Sequence, residues 1–222
     1  MKNKELNFLT KNHLKTKRNY LQRMNNSKVK CMIEAKKFGK NYWDGNRKYG
    51  YGGYKFIPNR WTDIAKKIIR YFNLNENSKV LDVGCGKGFL MYEIKKIIPE
   101  IKIYGLEISS YAIKNSHKNV KKFIKKGDIR NKNNYKNREF DLLISFGCLH
   151  NIELNELFFA IQEINRISKK QYLLVESYKN EKELFNLQCW ALTCNSFFSK
   201  KEWEWILRKN DFNGNYEFIY FQ

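Results

Sequence analysis

The sequence predicts an α/β protein with a doubly wound, mostly parallel sheet. Three observations carry that reading. From Lys79 onward, short apolar runs alternate with amphipathic stretches of helical period. The first of these runs, KVLDVG, opens directly into a glycine turn, GCGKG, and an amphipathic segment follows it. The run EFDLLISFG, residues 139–147, is almost continuously apolar, as a strand buried on both faces must be.

Taken in order, residues 1–40 are charged, with apolar positions that predict helices around 16–24 and 28–38. The stretch NYWDGNRKYGYGGYKFIPNRW, residues 41–61, holds seven aromatics and four glycines without helical or strand period, and predicts loop. Thr62 is a candidate N-cap for a helix that puts Ile64, Ile68, Ile69 and Phe72 on one face. Strands are then expected at 79–84, 101–107, within 120–128, and at 139–147, 170–178 and 215–221. Helices are expected between them at 88–98, 109–119, 155–168 and 199–210. Pro99 ends the first of these, and Ser199 is a candidate N-cap for the last. The expected division is an N-terminal helical and aromatic-glycine segment, 1–60, ahead of one compact unit, 61–222.

No run of about 18 apolar residues occurs, so no membrane span is expected. The polar N-terminus has no apolar signal core, and a cytoplasmic location is the expectation. The five cysteines form no C-x-x-C pair and no zinc spacing, so neither a disulfide framework nor a metal site is expected. A net charge of +21 ordinarily points to nucleic acid. Here the lysines are spread along the chain like solvated faces, and the abundance of Lys and Asn reads as compositional bias. Nucleic acid is therefore the less favoured partner, and attraction of an anionic small molecule through the general field is retained.

The candidate binding corner is Asp82-Val83-Gly84-Cys85-Gly86-Lys87-Gly88. In a dinucleotide fingerprint the third glycine would come one residue later. Glu107 ends the second strand, where a carboxylate can accept hydrogen bonds from both hydroxyls of a ribose. With no seat for a pyrophosphate, a cofactor with a ribose and no phosphates fits best.

Taken together, VLDVGCGKG, YGLE, KKGD and FDLLISFGCLH resemble the class I S-adenosylmethionine-dependent methyltransferases from about residue 61 to 178. The resemblance implies a Rossmann-like fold, S-adenosyl-L-methionine as cofactor and S-adenosyl-L-homocysteine as product. It implies that Gly84, Gly86 and Gly88 line the methionine and ribose part, that Asp82 helps hold the amino end and that Glu107 takes the ribose. It further implies Asp128 at the adenine amino group, Ile129 beside the ring and Ile108 over its other face.

The acceptor is expected beyond the carboxyl ends of the fourth and fifth strands. His150 has the titration range of a general base, or else caps the following helix. Glu176 either orients it, binds the acceptor or is a solvated strand end. Small-molecule enzymes of this fold often carry an N-terminal lid. In that role Tyr49, Tyr51, Tyr54 and Trp61 would surround the sulfonium. Arg60 would fork a carboxylate and Arg47 would meet an anionic acceptor. The alternative is a self-packed loop over the sheet edge.

Residues 16–222 also resemble a bacterial small-molecule methyltransferase family found among surface-polysaccharide enzymes, on YWDGNRKYGYGGYKF, LHN, VESY and CWALTCNSFFSKKEWEWI. That implies O-methylation of a small polar capsule or surface-glycan precursor, with a nucleotide- or phosphate-bearing one among the candidates. Phe56-Ile57-Pro58-Asn59 departs from the glycine-containing turn expected there. The competing functions are an RNA or protein methyltransferase and a non-catalytic cofactor-binding partner. No Asn-Pro-Pro-Tyr-like motif follows the fourth strand, which argues against base amino-methylation. Residues 179–198, with Trp190, Phe197 and Phe198, either complete the acceptor wall or form a homodimer contact.

Overall fold

The computed structural model describes residues 4–52 and 54–222. Its strands are β1 (Lys4–Glu5), β2 (Lys79–Val83), β3 (Lys102–Glu107), β4 (Ile124–Lys126), β5 (Leu142–Phe146), β6 (Gln171–Glu176) and β7 (Asn215–Ile219). They form one sheet in the order β1-β7-β6-β5-β2-β3-β4, and every described pairing is parallel. The chain runs outward from β2 to β4, then returns to β5 on the other side of β2. The carboxyl ends of β2 and β5 therefore diverge at a topological switch point, where such sheets open a crevice.

The helices are α1 (Thr10–Leu14), α2 (Tyr20–Asn25), α3 (Lys28–Ala35), α4 (Lys40–Asp44), α5 (Thr62–Phe72), α6 (Phe89–Ile97), α7 (Ser110–Lys114), α8 (Leu154–Ile167), α9 (Glu181–Trp190) and α10 (Lys200–Lys209). The two-residue period of the strands divides their side chains between two cores. Val80, Leu142, Ile144 and Tyr172 face Ile64, Ile68 and Phe72 of α5 and Leu90, Met91 and Ile94 of α6. Leu81, Val83, Leu143, Leu173 and Val175 face the apolar sides of α8 and α10. Burial of each such side chain stabilises the fold by about 1.5–3 kcal/mol.

The N-terminal segment is fastened to the sheet by a buried carboxylate. Glu217 on β7 is fully buried. It accepts hydrogen bonds from the backbone N–H groups of Phe8 (2.9 Å), Leu9 (2.8 Å) and Thr10 (2.6 Å), from the Thr10 hydroxyl (2.7 Å) and from the Tyr172 hydroxyl. This arrangement satisfies donors at the start of α1 and seats β1 beside β7.

Several elements differ from the sequence expectation. The 41–61 stretch is not all loop: α4 begins at Lys40, and a 3-10 turn spans Arg47–Tyr49. The helix expected over 109–119 is only Ser110–Lys114. Thr62 is the first residue of α5 and not its cap; its hydroxyl donates to Glu93 of α6 at 2.7 Å. The unassigned 179–198 segment contains α9, capped by Asn180. Ser199 does cap α10, in a reciprocal capping box with Glu202. No described helix is long and apolar enough to cross a membrane.

Candidate cofactor and acceptor site

A cavity of about 330 Å³ opens at the carboxyl ends of β2, β3 and β5. Gly84, Glu107, Ile108, Asp128 and Ile129, all anticipated from the sequence, line it. Glu107 is the best-positioned polar group. Its Oε2 accepts the Gly86 N–H at 2.7 Å and its Oε1 accepts the Ser109 N–H at 2.8 Å. Burial pushes its carboxyl upward despite these bonds. Each oxygen keeps a further lone pair for a hydroxyl in the cavity.

Gly86 and Gly88 serve the cavity from behind its wall. Gly86 has a φ of +55°, and a Cβ there would lie 2.8 Å from the Trp43 ring. Gly88 has a φ of +72°, and its Cβ would press on Val120 and Ile124. The first glycine admits an aromatic cover and the second admits close packing of α6 on the sheet. Asp82 lies outside the lining and is 5% exposed. Burial, with the Glu107 charge added, pushes it up to about 7. A cation placed near it would restore its ionised form.

Just beyond β4, Asp128 is held by Arg130. The guanidinium Nε reaches Oδ1 at 3.0 Å and Oδ2 at 2.9 Å, and its second nitrogen reaches Oδ2 at 2.6 Å. Burial alone would raise Asp128, but these bonds outweigh it and hold its carboxyl below the usual range. Asp128 also accepts the Arg130 backbone N–H at 3.0 Å. Its acceptor capacity is thus mostly committed, a constraint that the sequence motif did not disclose.

The N-terminal segment packs over the glycine turn and contributes to the cavity wall, through residues other than those expected. Phe38, Tyr42 and Trp43 line the cavity. Trp43 Nε1 donates to Ser109 Oγ at 2.9 Å and to the Phe38 carbonyl at 3.0 Å. Asp44 pairs with the buried Lys87 of the glycine turn at 2.6 Å and accepts the Tyr111 hydroxyl at 3.0 Å. Helix α4 is thereby bolted across the turn.

Tyr54, Arg60 and Trp61 are not among the lining residues. Tyr54 is one layer back, its hydroxyl donating to that of Tyr42 at 2.8 Å. Arg60 is exposed. Trp61 precedes α5 and packs on the core shared by α5 and α6. Tyr49 joins the Tyr42 cluster, and the Tyr51 hydroxyl accepts the N–H groups of Leu192 (2.6 Å) and Thr193 (3.1 Å). Arg47 lies outside the lining as well.

The opposite end of the cavity is built from Lys36, Gly147, Cys148, Asn151, Thr193 and Asn195. Lys36 Nζ donates to Asn195 Oδ1 at 2.6 Å. His150 and Glu176 lie together, but behind this wall. His150 Nδ1 accepts the Glu176 backbone N–H at 3.1 Å, so the neutral ring carries its proton on Nε2. Nε2 is 3.6 Å from Glu176 Oε2, beyond a good hydrogen bond. Burial pushes His150 down to about 3 and Glu176 up to about 7. The imidazole therefore has no free lone pair for proton removal.

Comparison with known proteins agrees with this geometry. The methyltransferase domain family matches residues 74–211, and the protein-L-isoaspartate(D-aspartate) O-methyltransferase family matches residues 9–134. The ribosomal RNA small subunit methyltransferase C of Buchnera aphidicola subsp. Baizongia pistaciae is 30% identical over 149 residues, covering 55% of this chain and 45% of the relative. Its counterpart in subsp. Acyrthosiphon pisum is 32% identical over 112 residues, covering 49% and 32%. The chain thus spans less than half the length of these curated relatives.

Among solved structures, a Haloferax volcanii complex of the Trm112 methyltransferase activator with a methyltransferase gives a TM-score of 0.56 at 19% identity, covering 68% of this chain and 67% of that one. The YcgJ protein of Bacillus subtilis gives 0.52 at 14% identity, covering 66% of each. Both likenesses speak for the fold alone. The parallel sheet, its glycine corner and the two family matches converge, and the chain belongs to the class I S-adenosylmethionine-dependent methyltransferases, in the methyltransferase domain family.

Proposed function

We propose that the protein transfers a methyl group to a small anionic acceptor whose attacking atom needs no proton removed before it attacks. The observation that carries this is the make-up of the acceptor end. Lys36 supplies positive charge there with only the neutral Asn195 as partner among the described residues. The thiol and the phenol beside it are not ionised at neutral pH: burial pushes the Cys148 thiol up to about 12 and the Tyr42 hydroxyl far above its usual range. An ionised carboxylate oxygen or a neutral amine needs no proton removed first.

The residues present suit S-adenosylmethionine. Glu107 would take the ribose hydroxyls, Ile108 and Ile129 would flank the adenine, and Asp82 would favour the cationic methionine end. Gly84 gives backbone access, while Tyr42 and Trp43 cover the sulfonium region, where an aromatic face favours a cation by roughly 0.5–2 kcal/mol. The bound cofactor supplies an electrophilic methyl group and a neutral thioether leaving group. The chain's own contribution is to align the acceptor and exclude water. The narrower acceptor, a surface-glycan precursor, rests on the sequence resemblance alone.

The second reading is RNA methylation. The +21 charge and the relatives named as ribosomal RNA methyltransferases favour it. A cell extract split by size and incubated with methyl-labelled cofactor separates the two. Label in small anionic compounds is expected. Label confined to RNA or to protein overturns the small-acceptor reading.

A further inference from the structure

We propose that Arg18, Arg23 and Arg47, gathered around Trp190 with Lys28 nearby, form a phosphate-binding site separate from the cofactor cavity. Their guanidinium carbons lie 5.4, 4.9 and 5.8 Å from the centroid of this one indole. The chain provides these cations with no carboxylate partner among its described ion pairs.

Neutral atoms hold them instead. Arg18 donates to the carbonyls of Thr16 (2.9 Å) and His13 (3.3 Å) and to His13 Nε2 (2.7 Å). Arg23 donates to the carbonyls of Trp190 (3.3 Å), Arg47 (2.9 Å) and Gly50 (2.9 Å). Lys28 Nζ donates to the carbonyls of Cys189 (2.7 Å) and Ala191. Carbonyls fix geometry but cancel no charge.

Donor capacity remains in this cluster. Arg18 Nε is buried without a partner. Arg47 is exposed and donates no hydrogen bond among the described residues, leaving its whole fork available. The cations also disfavour one another: Arg47 pushes Arg18 and Arg23 down, and Arg23 does the same to Lys28, each adding to the larger effect of burial. The nearby Glu176 is a poor counter-ion, because burial keeps it largely protonated below about 7. An external anion with several oxygens would relieve this repulsion and use the free Arg47 fork. A phosphate matches both requirements, and guanidinium groups oriented against an aromatic face are suited to it.

This site shares a wall with the cavity. The Tyr51 ring lies 5.7 Å from the Arg23 guanidinium, and its hydroxyl binds Thr193, which lines the cavity. The phosphate could belong to a small phosphomonoester or to a nucleic-acid backbone, and the test separates these sources.

Inorganic phosphate, uridine monophosphate and a uridine decanucleotide are titrated calorimetrically into the full chain at constant ionic strength. Wild type is compared with Arg47→Gln, which removes no described hydrogen bond and should fold. Arg47→Lys keeps the charge but not the fork, and Lys125→Gln is an exposed lysine control. Saturable one-to-one binding of uridine monophosphate is expected, displaced by phosphate and weakened about tenfold by Arg47→Gln, less by Arg47→Lys and not by Lys125→Gln. Binding of the decanucleotide alone, with a salt slope reduced by about one in Arg47→Gln, assigns the phosphate to a nucleic-acid backbone. Equal affinity of wild type and Arg47→Gln for all three probes overturns the proposal, as does binding of none of them. S-adenosylmethionine affinity, measured on the same samples, is expected to stay unchanged in every variant.

Discussion

The two ends of the cavity are made by different means. The end proposed for the cofactor is backbone and strand termini: the glycine turn after β2, Glu107 at the end of β3, and the Asp128 loop after β4. The end proposed for the acceptor is assembled from side chains remote in sequence: Lys36 after α3, Asn151 after β5, and Thr193 and Asn195 beyond α9. A strand terminus fixes its groups through the sheet ladder, so the same chemistry returns wherever the fold does. Side chains brought from separate segments are free to differ, and in our proposal they select what is methylated.

The largest effect that sharpens this contrast comes from the turn. Gly86→Val places a branched side chain at φ +55° and against Trp43. It is expected to abolish measurable cofactor binding in a calorimetric titration, with unfolding followed in parallel to show that the sheet persists. If binding stays at the wild-type level, Trp43 does not cover the turn.

The next effect is linkage to pH. Asp82 is raised in the folded state to about 7, above the ordinary carboxylate range near 4. Its contribution therefore favours the folded apo protein at low pH and is lost as pH rises from about 4 to about 7, on the order of 4 kcal/mol in all. His150, lowered to about 3, works in the opposite sense: its contribution is present above about 6.5 and is lost as pH falls toward about 3. Comparing wild type with Asp82→Asn across pH 4–8 isolates the first contribution. The variant should be the more stable apo protein at pH 8. Cofactor affinity is expected to rise with pH up to about 7 in the wild type and to lose that rise in the variant.

Smaller effects are expected at the cover and at the acceptor end. Lys36→Ala should raise KM for the acceptor about tenfold and leave cofactor affinity unchanged, consistent with loss of one charge-assisted contact. Asp44→Asn, which breaks the pair with Lys87, should weaken cofactor binding only a few-fold, about 1 kcal/mol. His150→Gln should leave the pH profile of turnover in place. A profile that loses a limb would return His150 to the chemistry.

Much of the first end was legible in the sequence, and little of the second. The turn Gly84 to Gly88 and Glu107 could be read because one strand-turn-helix unit and the next strand contain all of them. Helix α4 has five residues, too few for periodicity to stand out from an aromatic-glycine background. Its fastening through Asp44 and Lys87, and that of α1 through Glu217, join residues far apart in the chain. Nothing local marks such pairs. The same limitation explains why Tyr54, Arg60 and Trp61 looked as suitable for the cover as Tyr42 and Trp43. Arg130 is two residues from Asp128, and its fork was the one missed contact within local reach.

In our proposal one end of the cavity holds the cofactor and the other selects the acceptor. Calorimetric titration of S-adenosylmethionine into Glu107→Ala and Lys36→Ala tests it most directly. Affinity is expected to fall at least a hundredfold in Glu107→Ala, where the two proposed ribose contacts and the brace on Gly86 would be lost, and to stay within twofold of wild type in Lys36→Ala. Unchanged affinity in Glu107→Ala, or a comparable loss in both variants, would contradict it.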